Sequence, residues 1–530
     1  MKADLILKSG QIVSMDEDDR QHEALAVYDG KIIALGSDRE VVSYEGHRTE
    51  VVDLNGKTVL PGFIDAHQHM ISTGFNLRNV DCRVGSIKEL VDKITTRAET
   101  CAPGEWVIGW GYDESRFAQK RHPSKADFAG IDRPVFVTHY SLHSAVANDA
   151  ALEAAGISAE TTVEHGMIEK DEHGELTGRL TEDGLAMVKN SIPYTIEQMK
   201  EALKLANDHY VKQGVTSVHE AGMGFFTGSF DEFRAFQETS RDGSRKVRVY
   251  GMVLDDFFEQ ALEARLTHGF GNDRLKIGAM KTFADGTVSG KSAAVTEPYT
   301  GEDGSYGELM QTDEEIGGKI VHAHRNGYQI AVHAIGDAAV EQVLNAYEHA
   351  MNEFPRSDCR HRIEHASVTR PDLIEKMRRL GIVAVPQPGL VHFAGEVHME
   401  HLHPRLRDYV FASRSFMDSD LKVAGSSDSP ITPCEPLLGI YTSISRKTAN
   451  GNTILSDQKV TIREALEMYT KNAAYASFDE ATKGTLEAGK LADLTVLPEE
   501  FLDFSADQIK ETKVEMTIIG GEVVFKKGEE

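Results

Sequence analysis

Six residues with nitrogen or carboxylate side chains stand where short apolar runs end, and their pattern is that of a metal centre. In GFIDAHQHM, residues 62–70, His67 and His69 are two positions apart. Side chains at i and i+2 of a β-strand share a face, so these imidazoles aim at one spot. Two convergent imidazoles make half a metal site. Lys281, His333, His365 and Asp428 close four further runs of the same kind. Alone, each has an ordinary explanation, such as a hydrogen-bonded core histidine or an aspartate capping a helix. Together they bring ligands to the ends of five strands, and a metal held there can activate water.

Convergence of that kind needs a scaffold that delivers strand ends to one place. Eight β-branched runs, at 62–69, 214–222, 247–253, 275–286, 328–337, 361–366, 381–388 and 421–430, alternate with stretches of helical period. This alternation predicts an α/β fold, a (β/α)8 TIM barrel over residues 59–482, with its active site at the C-terminal ends of the strands. The 32 residues from His333 to His365 match the roughly 30 residues per unit of such a barrel.

Residues 75–205 are too many for one helix and implausible as a structureless loop. They are read as an insertion after the first strand, a lid or specificity subdomain, with a hairpin in GMIEKDEHGELTGRL. The two ends, 1–58 and 483–530, are short strands broken by DG, NG and other glycine turns. They are expected to pair into one small discontinuous β-sandwich.

Composition narrows the function classes. Of 530 residues, 40% are hydrophobic and 27% charged, the proportions of a globular protein. A formal net charge of −27 argues against a nucleic-acid partner, since phosphate binding needs a basic surface. The N-terminus lacks the apolar segment of a signal peptide, and no apolar stretch has membrane-spanning length. The four cysteines, Cys82, Cys101, Cys359 and Cys434, are dispersed without a C-x-x-C pair, which suits a reducing compartment. The expected setting is cytoplasmic, with a small-molecule substrate and no membrane partner; a homodimer is compatible with the sequence.

The motifs resemble the amidohydrolase superfamily, in particular its YtcJ-like and N-substituted formamide deformylase-like branch (amidohydrolase family 3). LPGFIDAHQH is similar to the family's first metal motif and KTFADGTVSG to its fourth-strand lysine segment. VHAIGDAAV, RIEHA and GSSDSP resemble the motifs of strands five, six and eight. HSAVAN and KGTLEAGKLADLTVL are also typical of this branch. The resemblance implies that His67, His69 and Asp428 hold one metal and His333 and His365 a second. It also implies that Lys281, carbamylated by CO₂, bridges two zinc ions. Fe, Mn or Ni would suit the same ligands, and a mononuclear site with Lys281 only hydrogen-bonding is the alternative. Asp428 would serve as general base and then as acid to the leaving nitrogen, in hydrolysis of a non-peptide C–N bond.

Two rival readings accompany this one. A mononuclear deaminase-type hydrolase would attack an amidine or ring C–N bond, and the Lys281 segment argues against it. A catalytically inactive binding or regulatory relative would have lost several ligands, whereas all six positions are filled. His143, Trp110, Tyr112, Arg116, His219 and Asp285 are candidates for substrate contact. Packing of an ordinary subdomain core explains Trp110 and Tyr112 equally well. HMEHLH, with His398, His401 and His403, is read as a polar loop.

Overall fold

The computed structural model describes residues 1–18, 20–102, 104–140, 144–301 and 304–529. The chain separates into two compact units, one of residues 1–73 and 203–530, the other of residues 74–202.

The larger unit is built on a parallel sheet of β1 (Phe63–Gln68), β2 (Val215–Met223), β3 (Arg248–Leu254), β4 (Leu275–Phe283), β5 (Ile330–Ala334), β6 (Arg362–His365) and β7 (Val383–Val385), hydrogen-bonded in that order. These runs are almost wholly buried, as expected of a parallel sheet covered by helices. The intervening helices carry strong local signals. The helix Asp313–Arg325 starts at a capping box of Thr312 and Glu315. The helix Pro371–Leu380 opens on proline, buries Leu373, Ile374 and Met377, and stops at Gly381 in left-handed backbone (φ 64°).

The expected eighth strand, 421–430, is an extended segment rather than a regular strand. It forms one parallel bridge, Ala384 to Val423. It nevertheless closes the ring: Ala424 N donates to Ala384 O (2.9 Å), Ala66 N to Gly425 O (3.1 Å) and Asp428 N to His67 O (2.8 Å). The segment leaves the ladder because Asp428 adopts φ 56° and Pro430 has no N–H to offer. HMEHLH is also not a loop. His398 and His401 end the helix Gly389–His401, in which Val391, Gly395 and His398 form a buried stripe at i, i+4 and i+7.

The two chain ends form a β-sandwich. One sheet holds Leu5–Lys8, Ala24–Tyr28, Lys31–Gly36 and Glu50–Asp53. The other joins Lys57–Pro61 from the N-terminal end to Leu494–Glu499 from the C-terminal end, in antiparallel register Leu60 to Thr495. Leu5, Leu25 and Val27 of the first sheet pack against Ile12, Val59, Leu494, Val496 and Ile518 of the second. Arg248, at the start of β3, donates from Nε (2.6 Å) and Nη2 (2.9 Å) to Asp493, tying the barrel to this layer.

The second unit centres on a six-stranded sheet. Its order is Gly166–Lys170, Leu176–Glu182, Ser144–Ala147, Val135–His139, Val107–Tyr112 and Val80–Asp81. The helix Ile87–Thr100, capped by Ser86, lays Ile87, Leu90, Ile94 and Ala98 on this sheet's core.

Candidate metal centre

The end of β1 and the turn at Asp428 meet through the bond from Asp428 N to His67 O, which brings the Asp428 carboxylate against both histidines. Asp428 Oδ1 lies 3.5 Å from His67 Nε2 and 3.4 Å from His69 Nε2. His365, ending β6, places its ring 4.9 Å from that of His67 and 4.4 Å from that of His333 on β5. One ligand atom each from His67, His365 and Asp428 fall within 4.8 Å of one another. His365 (φ 73°) and Asp428 (φ 56°) both hold left-handed backbone, a strained state for side-chain-bearing residues that clusters at functional sites.

Lys281, on β4, is buried with its ammonium 4.5 Å from the centre of the Phe283 ring. Phe283 in turn stacks on Phe225, and Phe225 on His69, so an aromatic wall lines one side of the cluster. Phe225 is 47% exposed.

The protonation states of His333, His365 and Asp428 suit metal binding, whereas His69, which burial would lower, is raised to about 9 by Asp428 and Glu220. Burial pushes His333 down to about 3, with Lys281 adding to the effect, and burial likewise holds His365 well below the ordinary imidazole value. Neutral imidazole is the ligating form. Burial alone would raise the Asp428 carboxyl, but the His67 and His69 imidazoles beside it outweigh burial and hold the group well below its usual range. Burial lowers the Lys281 amine to about 8, against the pull of Glu364 and Asp428.

Two residues not singled out from the sequence, Glu364 and Gln387, fix ring orientations, and a third, Glu220, lies beside His69. Glu364 accepts from His67 Nδ1 at 2.5 Å and from Arg362 Nε at 2.7 Å. With Nδ1 so occupied, His67 presents Nε2 to Asp428. Gln387 Oε1 lies 2.6 Å from His365 Nδ1 and does the same for that ring. Glu220 sits 3.7 Å from His69 Nδ1 and accepts from Met70 N at 2.7 Å. Such outer partners set the tautomer and basicity of ligating histidines. Only Glu364 carries a sequence signal, since it neighbours His365 in RIEHA.

The remaining candidates are placed differently. Asp285 is fully buried, and its oxygens accept from the backbone N–H groups of Ala294, Ile335 and Gly336. Its carboxylate is spent on holding the turn after β5 and is not turned outward to a substrate. His219 is also fully buried, with Nδ1 taken by Arg362 (3.0 Å) and its ring against Tyr250. Trp110, Tyr112 and Arg116 belong to the second unit: Tyr112 is part of that unit's core, Arg83 covers the Trp110 ring, and Arg116 is largely exposed. His143 lies outside the described residues.

The donor set fits a divalent cation. Metal–ligand bonds of about 2.0–2.2 Å at tetrahedral angles separate ligand atoms by roughly 3.4 Å. The 3.4 and 3.5 Å separations around Asp428 Oδ1 match this spacing and exceed an ordinary hydrogen bond. His69 Nδ1 is buried with no hydrogen-bond partner among the described residues. Carboxylate and imidazole ligands of this kind serve Zn, Fe, Mn and Ni alike. No helix among the described residues is long and apolar enough to cross a membrane.

Comparison with known proteins gives a consistent picture. The model of the amidohydrolase family matches residues 50–525. YtcJ of Bacillus subtilis (strain 168) is 31% identical over 537 residues, covering 99% of this chain and 100% of its own. The N-substituted formamide deformylase of Arthrobacter pascens is 30% identical over 550 residues, covering 99% and 98%. Among solved structures, an uncharacterized metal-dependent hydrolase from Pyrococcus horikoshii superposes with a TM-score of 0.82 at 27% identity, covering 95% of this chain and 99% of that one.

Proposed function

The chain belongs to the amidohydrolase family and is a hydrolase acting on carbon–nitrogen bonds, and we propose that its reaction is cleavage of a non-peptide, amide-type bond, with N-substituted formamides as the first class to examine. The observation that carries this reading is the meeting of His67, His365 and Asp428 within 4.8 Å at the strand ends of the barrel. The formamide class is supported by the deformylase relative, which is matched over nearly its whole length.

In this reading His67, His69 and Asp428 hold one divalent ion, zinc being the first choice, and His333 and His365 hold a second. When bound, such an ion supplies Lewis acidity, polarising a carbonyl and lowering the pKa of water to about 7. The chain's own residues do the rest. Glu364 and Gln387 lock the His67 and His365 rings so that their free nitrogens face the cluster. Lys281, its amine lowered to about 8 by burial, is in part neutral at physiological pH. A neutral amine adds to CO₂ with loss of one proton, and the anionic carbamate so formed would be a further ligand for a cation held by these residues. Asp428, ionised and held between His67 and His69, accepts a proton from water and passes it to the leaving nitrogen. The Phe225 and Phe283 rings keep one side of the cluster apolar, which strengthens the electrostatic interactions inside it.

The test is metal content by elemental analysis for wild type and Lys281→Ala, followed by turnover of N-formyl and N-acyl amines. Two metals per chain, falling to one or fewer in Lys281→Ala, together with formate release, is the expected result. One metal in both proteins would remove the bridge. Absence of turnover on every N-acyl amine by metal-loaded protein would remove the amide reading.

A further inference from the structure

The second unit holds another group of the same ligand types. The strands Val107–Tyr112 and Val135–His139 pair in parallel, with Tyr112 opposite His139. The chain beyond Tyr112 therefore starts beside His139. Asp113, Glu114 and His139 each offer an atom within 4.8 Å of the others. Glu114 Oε2 lies 2.9 Å from His139 Nε2 and 3.6 Å from His122 Nδ1. These separations bracket the roughly 3.4 Å between ligand atoms on a tetrahedral zinc ion. Asp113 is also engaged by Ser115 and Arg116, and His122 stands outside that group, beside Glu114.

Glu114 Oε2 is buried yet accepts no aligned hydrogen bond among the described residues, despite its closeness to His139. A buried carboxylate oxygen without a donor is costly, and a cation is what the geometry offers it. The Glu114 side chain as a whole is 31% exposed and that of His122 25%, so an ion can reach the group from solvent.

A second histidine cluster shows the contrast. Ile330 N donates to His361 Nδ1, which fixes the His361 proton on Nε2. That proton goes to His324 Nδ1 (2.9 Å), and His324 Nε2 then donates to the Phe354 carbonyl (2.7 Å). Cys359 Sγ donates to Arg356 O. Every donor there has an acceptor, so His324, Cys359 and His361 form a closed relay that asks for no ion.

We infer that Glu114 and His139, with Asp113 and His122 on either side of them, form a divalent transition-metal site within the second unit. Histidine and carboxylate side chains are established zinc ligands. The ion clips the segment following Tyr112, which contains Glu114 and His122, to the end of the strand bearing His139. Tyr112 Oη, 3.1 Å from His122 Nδ1, gives up that contact on loading. The inference does not depend on the reaction proposed for the barrel.

The experiment uses the full chain, stripped with chelator, reloaded with Co²⁺ alone and freed of excess by gel filtration. Bound cobalt is counted by elemental analysis, and its visible absorption is recorded for wild type, Glu114→Gln, His139→Ala and Asp428→Ala. The expected result is one equivalent fewer in Glu114→Gln and His139→Ala than in wild type, with a matching loss of visible absorption. Asp428→Ala should retain the equivalent that Glu114→Gln lacks. Equal cobalt in wild type and Glu114→Gln would overturn the site, whatever the barrel holds. Glu114→Gln is nearly isosteric, so it decides the matter if His139→Ala does not fold.

Discussion

His67 Nδ1 and Glu364 Oε2, 297 positions apart in the chain, lie 2.5 Å from each other in the barrel interior. Glu364 has no exposure, and its other oxygen is held by Arg362, which also donates to the carbonyl of Ala66. The pair fixes which His67 nitrogen is free to bind a cation. Glu364→Gln is therefore expected to weaken metal binding about 10- to 100-fold. Competition against a chromogenic chelator measures this, with circular dichroism to verify folding. Unchanged affinity in a folded variant would show that Glu364 serves Arg362 alone.

Arg248 and Asp493 form a second buried pair, each no more than 5% exposed. Arg248→Ala leaves the Asp493 charge unmatched and should cost about 3–5 kcal/mol in urea unfolding. The double variant Arg248→Ala/Asp493→Ala should recover part of that loss, because no lone charge remains buried. If the double variant is as unstable as the two single losses added, the ion pair is not what couples these positions.

Asp479 sets an acid limit. Burial would raise its carboxyl, but Lys483 and Lys276 outweigh burial and hold it well below the usual carboxylate range. Lys276 Nζ lies 2.5 Å and Lys483 Nζ 3.2 Å from its oxygens. A depressed pKa gives stability that is present above the unfolded value of about 3.9 and is lost as pH falls below it. Asp479→Asn should cost about 2 kcal/mol at pH 7 and progressively less below pH 4. A difference that stays constant from pH 7 to pH 3 would assign the loss to packing instead.

The meeting of the first-strand histidines with Asp428 was legible because a two-residue period speaks directly to side-chain direction, and because a barrel brings its strand ends together. His333, His365 and Asp428 followed from the same rule. Their outer partners were not legible. Gln387 and Glu220 have no spacing relation to the rings that they address, and glutamine or glutamate at a strand end reads as ordinary polarity. Asp285 misleads for a related reason: its strand-end position suits a substrate contact, but three backbone N–H groups claim it. The helix Gly389–His401 was obscured because its buried stripe contains a glycine and a histidine, which hydrophobic periodicity does not register. The eighth barrel position was found by sequence, but its irregularity depends on the turn at Asp428, which no local propensity announces.

The pairing of Lys57–Pro61 with Leu494–Glu499 has a consequence for biosynthesis. About 430 residues separate the two strands, and at about 5–20 residues per second their synthesis takes roughly 20–90 seconds. For that time the nascent chain displays one edge of Lys57–Pro61 without its later partner, directly ahead of β1 and its histidines. An unpaired strand edge invites association with other chains. The later strand Leu494–Glu499 is thus the one that retires this hazard, and the crowded cell must shelter the emerging polypeptide until it is made.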